Sequence, residues 1–156
     1  MSGDDRLKTL ASLLEERLAL VDQLHALAQR QAAFIADADA ESLAALIASR
    51  EEVVRQIRAG ESVLADAVAA AVAARRVEAE NPDLRRRIDA VIRTLDDRIA
   101  DITRLDDAAT PVLERARAEL RRELATADRG RQAYGAYAGA AAGRTVESTR
   151  FADRSA

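Results

Sequence analysis

The sequence contains no cysteine, no tryptophan, a single histidine and a single lysine, and only two phenylalanines and two tyrosines among 156 residues. Without cysteine there can be no disulfide, no thiolate metal site and no thiol nucleophile. The lone His25 cannot supply a histidine-rich metal cage and fits poorly with a histidine-based triad or dyad, and no phosphate-cradling glycine loop is present. The composition therefore points away from an enzyme and implies no cofactor. Long apolar runs are missing too. The least polar stretches, Ala67 to Ala74 and Gln132 to Gly143, fall well short of the roughly 20 apolar residues that a spanning helix requires. Met1 to Arg6 lacks the basic start and apolar core of a signal peptide. No membrane insertion and a cytoplasmic location are expected. What is present is 37 alanines, 23 arginines and a 49% hydrophobic, 33% charged composition, the signature of long helices or coiled coils.

Charge is distributed unevenly. The net value is −3, made up of −6 over residues 1–128 and +3 over residues 129–156. An acidic body offers no sustained positive field for nucleic acid. Arg85, Arg86 and Arg87 form a short basic run, but Glu78, Glu80 and Asp83 dilute it. No nucleic-acid partner is expected.

The pattern along the chain predicts an all-α fold, an elongated antiparallel helical hairpin or bundle of three long helices. Over about Asp4 to Ala36, Leu7, Leu14, Val21, Ala28 and Ile35 recur every seven residues, with Leu13, Leu20, Leu27 and Phe34 beside them. A stripe that wide implies contact with more than one helix. Asp37 to Ser42 breaks the pattern, and Asp39 is a suitable N-cap for the next helix. The second helix carries Leu43, Ile47, Val54, Ile57, Leu64 and Val68, with Gly60 inside it. A helical glycine costs about 1 kcal/mol relative to alanine, enough for a bend but not for a stop. The Ala-rich end of this helix predicts thin packing or fraying.

Asn81-Pro82 is the clearest punctuation, with Asn as N-cap and Pro at the first helical position. The third helix carries Leu84, Ile88, Ile92, Leu95, Ile99, Ile102, Leu113, Leu120 and Leu124. Pro111 predicts a kink near Ala108 to Pro111, and one bent helix or two helices would both fit. After Asp128 the periodicity stops, and four of the six glycines follow. The domain expectation is a helical bundle over 1–128 and a flexible tail over 129–156, within which a short helix from Tyr134 to Ala142 is allowed.

Most candidate sites have plain structural readings. His25 lies at the edge of the first apolar stripe as a boundary residue. The acids Asp96, Asp97, Asp101, Asp106 and Asp107 lack the Glu-x-x-His pairs of a carboxylate metal site and read as a solvated face, so no metal is expected. Asp83 and Arg87, Asp89 and Arg93, and Glu51 and Arg55 are spaced as ordinary helix-surface pairs. The glycine ladder Gly135, Gly139 and Gly143 reads as flexibility, since Arg131 and Arg144 bracket too few residues for a membrane helix-dimer face. The tail aromatics Tyr134, Tyr137 and Phe151 are more informative. They either tuck back onto the bundle or act as short anchors for a partner, because aromatics carry a disproportionate share of interface energy.

The layout of Leu13-Leu14-Glu15-Glu16, Leu24 to Gln31, an acidic turn before Leu43 to Arg50, a third long helix, and a tail with Ala133-Tyr134-Gly135 and Arg150-Phe151 to Asp153-Arg154 resembles the FlgN-type flagellar export chaperones. The resemblance implies a cytoplasmic helical protein, monomeric or weakly dimeric, that binds hook–filament junction (hook-associated) proteins before type III export. It implies no catalysis. Clients of this family present amphipathic terminal helices, which a hydrophobic groove would cover. Leu95, Ile99, Ile102, Leu113 and Leu120 are the candidate client-binding face, with intramolecular core as the competing reading. The resemblance assigns an export-gate component as second partner and a tail tyrosine as its anchor. Tyr134, followed by Gly135, matches best, with Tyr137 next and Phe151 as a further aromatic. A self-assembling structural coiled coil or helical bundle is the alternative that the same stripes allow.

Overall fold

The computed structural model describes the backbone of residues 1–75 and 81–152 and the side chains of residues 1–75 and 81–140. Among the described residues there are four helices: α1 (Gly3–Ala36), α2 (Ala40–Ala59), α3 (Glu61–Arg75) and α4 (Pro82–Ala152). The fold is all-α, as the periodicity predicts. The chain divides into two units, Met1–Val112 and Leu113–Ala156.

Each helix start has a local cause. At α1 the Asp5 amide donates to Ser2 Oγ at 3.2 Å, and the Ser2 amide donates back to the Asp5 carboxylate at 3.3 Å. This reciprocal capping box satisfies two otherwise orphaned donors. Asp39 accepts from the Ser42 amide at 3.1 Å and starts α2 as expected. Asn81 accepts from the amides of Asp83 (3.1 Å) and Leu84 (3.3 Å) and starts α4, with Pro82 as its first residue.

The end of α1 holds a feature without a glycine signal. Ala38 has φ 53°, in the left-handed region. The Ala38 amide donates to the Ile35 carbonyl (3.2 Å) and the Asp39 amide to the Phe34 carbonyl (3.1 Å), the two bonds of a Schellman ending. Glycine usually fills this position, because a Cβ there costs about 1–2 kcal/mol.

α2 and α3 are two parts of one segment. Gly60 keeps right-handed helical dihedrals (φ −87°, ψ −7°). Its amide donates to the Gln56 carbonyl at 3.3 Å, and its own carbonyl accepts from Leu64 at 3.0 Å. The glycine is thus a bend and not a stop. The α1 residue Arg17 donates to the Ile57 carbonyl at 3.2 Å and supports this point from outside the helix.

In the first unit the core is aliphatic and thin. Leu10, Ala11, Leu14, Val21 and Ala28 of α1 meet Ala71 of α3 and Ile88, Leu95 and Ile102 of α4. Leu46 and Val53 of α2 are buried as well. The heptad steps Leu14–Val21–Ala28 and Ile88–Leu95–Ile102 place these side chains on one stripe of each helix. Burying one Leu, Ile or Val contributes about 1.5–3 kcal/mol. Leu13, Leu20, Leu27 and Phe34 are half-buried, so the wide stripe of α1 does serve several neighbours. Toward the end of α3 the buried residues are Ala71 and Ala74, in line with the thin packing expected there.

Inter-helix contacts fix the direction of each helix. Asn81 Nδ2 donates to Asp4 (3.3 Å), Arg87 to Glu15 (2.6 and 2.7 Å) and Arg98 to Asp22 (2.9 Å), so α1 and the first part of α4 run in the same direction. The α2–α3 segment runs opposite to both. This is an up-down-up arrangement of α1, the α2–α3 segment and the first part of α4.

α4 passes Pro111 as one helix, which decides between the two alternatives. Its backbone also stays helical through Ala152, beyond Asp128, where the sequence reading ends it. The short helix allowed over Tyr134 to Ala142 lies within this longer one. The physical reason is composition: alanines at 133, 136, 138 and 140–142 have the highest helix propensity and offset the glycines between them.

Candidate functional site

The five candidate client-binding residues do not form one surface. Leu95 and Ile102 belong to the buried cluster of the first unit, where α1 covers them. Ile99 is 51% exposed. In the second unit Leu113 is half-buried, whereas Leu120 and Leu124 are 56% and 54% exposed. Every described residue from Glu114 to Ala140 is exposed. Two open apolar sets result, one in each unit.

In the first unit, Ile92 and Ile99 are exposed on α4, and Val68 and Val72 on α3. Leu7, Leu10, Val68, Val72, Ile88 and Ile92 line a cleft of ≈ 260 Å³. The cleft follows from the alanine run of α3, whose methyl groups are too short to fill the space between helices. In the second unit, Leu113, Leu120 and Leu124 share one stripe of α4, at about 3.6 residues per turn. Leu124 continues the stripe one turn beyond Leu120, and the i, i+4 spacing already carries that signal in the sequence.

The tail anchors are accessible. Tyr134 and Tyr137 are 76% and 75% exposed and stand three residues apart on α4, on one side of the helix. A Cβ added at Gly130, Gly135 or Gly139 would meet no atom within 4 Å. Packing therefore does not demand glycine at these positions. The Phe151 side chain lies outside the described residues. Phe34, the remaining aromatic, sits in α1 with the Arg30 guanidinium 5.8 Å above its ring, a local cation–π contact.

Several charged residues have roles that sequence spacing does not reveal. Arg50 of α2 donates to Gln31 of α1 at 2.5 Å and, bidentately, to Asp106 of α4 at 2.8 and 2.9 Å. Asp106 is therefore a structural partner and not a member of a solvated face. Asp101 pairs with Arg104 and lies 3.9 Å from His25 Nε2. The expected i, i+4 pairs are replaced by others. Asp83 pairs with Arg86, Asp89 with Arg85 at 3.9 Å, and Glu52 with Arg55 at 2.5 Å. Arg93 donates to the Asp89 carbonyl oxygen at 3.3 Å. Arg87 leaves its own helix for Glu15, whose hydrogen bonds from this guanidinium hold its carboxyl below the usual range. Each arginine of the basic run 85–87 thus stands beside a carboxylate.

Among the described residues no three His, Cys, Asp or Glu side chains come together as a metal site, and no helix is long and apolar enough to cross a membrane. What the geometry offers is apolar helix surface, the equipment of a helical protein that binds other proteins. The family comparison agrees: the FlgN protein family matches residues 1–142. The chain belongs to the FlgN family of flagellar export chaperones. Neither the curated proteins nor the solved structures include a match to it.

Proposed function

We propose that this chain is a cytoplasmic chaperone that holds hook-associated proteins by their amphipathic terminal helices and delivers them to the type III export gate. One observation carries the reading. α4 leaves Leu120 and Leu124 open to solvent, in one stripe with the half-buried Leu113, within the residues the family matches. An amphipathic client helix laid against this stripe would bury apolar surface on both sides. Leu95 and Ile102 support it from the core, as residues that keep the first part of α4 in place. Ile99 supplies an exposed apolar residue in the first unit. Tyr134, with Gly135 beside it, is the gate anchor, with Tyr137 and Phe151 in the same segment. Activity is stoichiometric binding, with no cofactor and no catalytic step.

The test compares the full chain, a chain ending at Asp128, and Leu120→Asp/Leu124→Asp in the full chain. Co-purification with a hook-associated protein and secretion of that protein are both measured. The double Asp variant should lose client capture by about tenfold or more. The chain ending at Asp128 should keep client capture and lose secretion. Unchanged secretion by that shorter chain would remove the anchor role of the tail. Full client capture by the double Asp variant would remove the stripe from the client site.

A further inference from the structure

The apolar strip of the second unit ends on a charge. At about 3.6 residues per turn, eighteen residues make about five turns, so Arg131 stands on the same line of α4 as Leu113. Ala116, Leu120, Leu124 and Ala127 fill the strip between them. The flanks carry both signs along its length: Glu114, Arg117, Arg121 and Asp128 on one side, Glu119 and Glu123 on the other. Arg115, Arg122 and Arg129 stand on the back of the helix. Mixed flanks give a covering helix no preferred direction, and the charge inside the strip is left to decide it. Arg131 is exposed. Asp128, three residues before it, makes no ion pair with it among the described residues.

A guanidinium has five donors and no acceptor, and apolar surface laid over it would leave them unmet. The two ends of a covering helix meet it in opposite ways. A C-terminal end presents unpaired carbonyl oxygens and the negative end of the helix dipole, whereas an N-terminal end presents unpaired amides and the positive end. We infer that a helix covering this strip ends its last turn at Arg131, with its free carbonyl oxygens accepting from the guanidinium, and therefore runs parallel to α4. The occupant is the client terminal helix proposed above, and the inference rests on that reading. Leu113 to Arg131 spans about 27 Å, the length of about 18 helical residues. Tyr134 lies on the line of Ala116, one turn past Arg131. A client helix that stops at Arg131 leaves this tyrosine uncovered for its anchor role, and one that ran on would cover it. Arg131 sets direction more than strength, so a chain ending at Asp128 still captures the client but holds it in either direction.

Because the protein has no cysteine, direction can be read by disulfide trapping. Ala116→Cys and Ala127→Cys mark the two ends of the strip in the full chain. Each is mixed with a purified hook-associated protein carrying one cysteine, at the start or at the end of its terminal helix. The end of the client helix should be trapped by Ala127→Cys and its start by Ala116→Cys, in at least about fivefold excess over the crossed pairs. An excess of crossed pairs, or equal trapping of all four, overturns the inference. Arg131→Glu, added to either chain, should abolish or reverse the preference while changing capture by less than about threefold. Arg129→Glu makes the same change of charge on the back of the helix and should keep the preference. A preference that survives Arg131→Glu, or is lost equally in Arg129→Glu, overturns the role of Arg131. Failure of the parent chain to capture a hook-associated protein overturns the client reading, and the inference falls with it. Capture without preference overturns the inference alone.

Discussion

The first unit and the second use the same amino acids for opposite ends. In Met1–Val112 leucine and isoleucine sit seven apart and are buried: Leu14, Leu95 and Ile102 all belong to one cluster. From Glu114 to Ala140 the leucines, Leu120 and Leu124, are exposed, although Leu120 stands seven residues after Leu113. Periodicity alone therefore does not decide whether an apolar stripe is core or contact surface. The polar neighbours decide it. Around the first set, Glu15, Asp22 and Arg50 reach across to Arg87, Arg98 and Asp106. Among the described residues, the charges flanking Leu120 are exposed.

That contrast can be broken most sharply at the leucines. Leu14→Ala should cost about 2–4 kcal/mol of unfolding free energy in urea, because a buried side chain leaves a cavity. Leu120→Ala should change it by no more than about 0.5 kcal/mol, as an exposed residue does. Comparable losses at both positions would mean that the second stripe is packed within the chain. Arg50→Ala comes next, with a loss of about 1–2 kcal/mol, since it leaves the buried Gln31 and the Asp106 carboxylate without their shared donor. Arg50→Lys should recover only part of it, because a lysine cannot bond both carboxylate oxygens in the same fork.

Two smaller effects have the opposite sign. Ala38→Gly should stabilise the first unit by about 0.5–1 kcal/mol by relieving the left-handed alanine. Gly60→Ala should do the same by up to about 1 kcal/mol, since a Cβ there meets only the Ile57 and Gln56 carbonyl oxygens at 3.7 and 3.9 Å. Thermal unfolding checks both, and a lower midpoint for Gly60→Ala would show that the bend itself is needed. The smallest effect is set by pH. Hydrogen bonds from Arg87 hold the Glu15 carboxyl below its usual range, and the Ser42 hydroxyl and amide do the same for Asp39. The folded values lie under the unfolded ones, so this contribution is complete above the ordinary carboxylate range and is lost as pH falls through the lowered values. A Glu15→Gln chain should show a shallower loss of stability on acidification than the parent, and identical acid profiles would contradict it.

Much of the first unit was legible before any coordinates. Asn81-Pro82, Asp39 and Gly60 each name a local backbone event, and each event occurs where the residue stands. The wide stripe of α1 announced several neighbours. Three things were not legible. The Schellman ending at Ala38 lacks the glycine or asparagine that would announce it. The helical backbone beyond Asp128 was obscured by glycines and lost periodicity, although the alanines there favour helix individually. Among the site residues, Leu95 and Ile102 could be core or groove on spacing alone. Only the arrival of α1 at that face assigns them to the core. Arg50 was invisible for the same reason, as its partners stand 19 and 56 residues away.

The polar rungs between α1 and α4 have a further consequence for how the helices keep their alignment. An apolar stripe that repeats every seven residues is nearly self-similar: sliding α4 by one heptad would set Leu95 where Ile88 stood and Ile102 where Leu95 stood. The aliphatic core by itself would barely register the error. The rungs would register it at once. Glu15 would then face Thr94 in place of Arg87, and Asp22 would face Leu105 in place of Arg98. Each exposed pair adds little to stability, but together they work as a vernier scale, making one alignment readable among several that the alanines and leucines would accept.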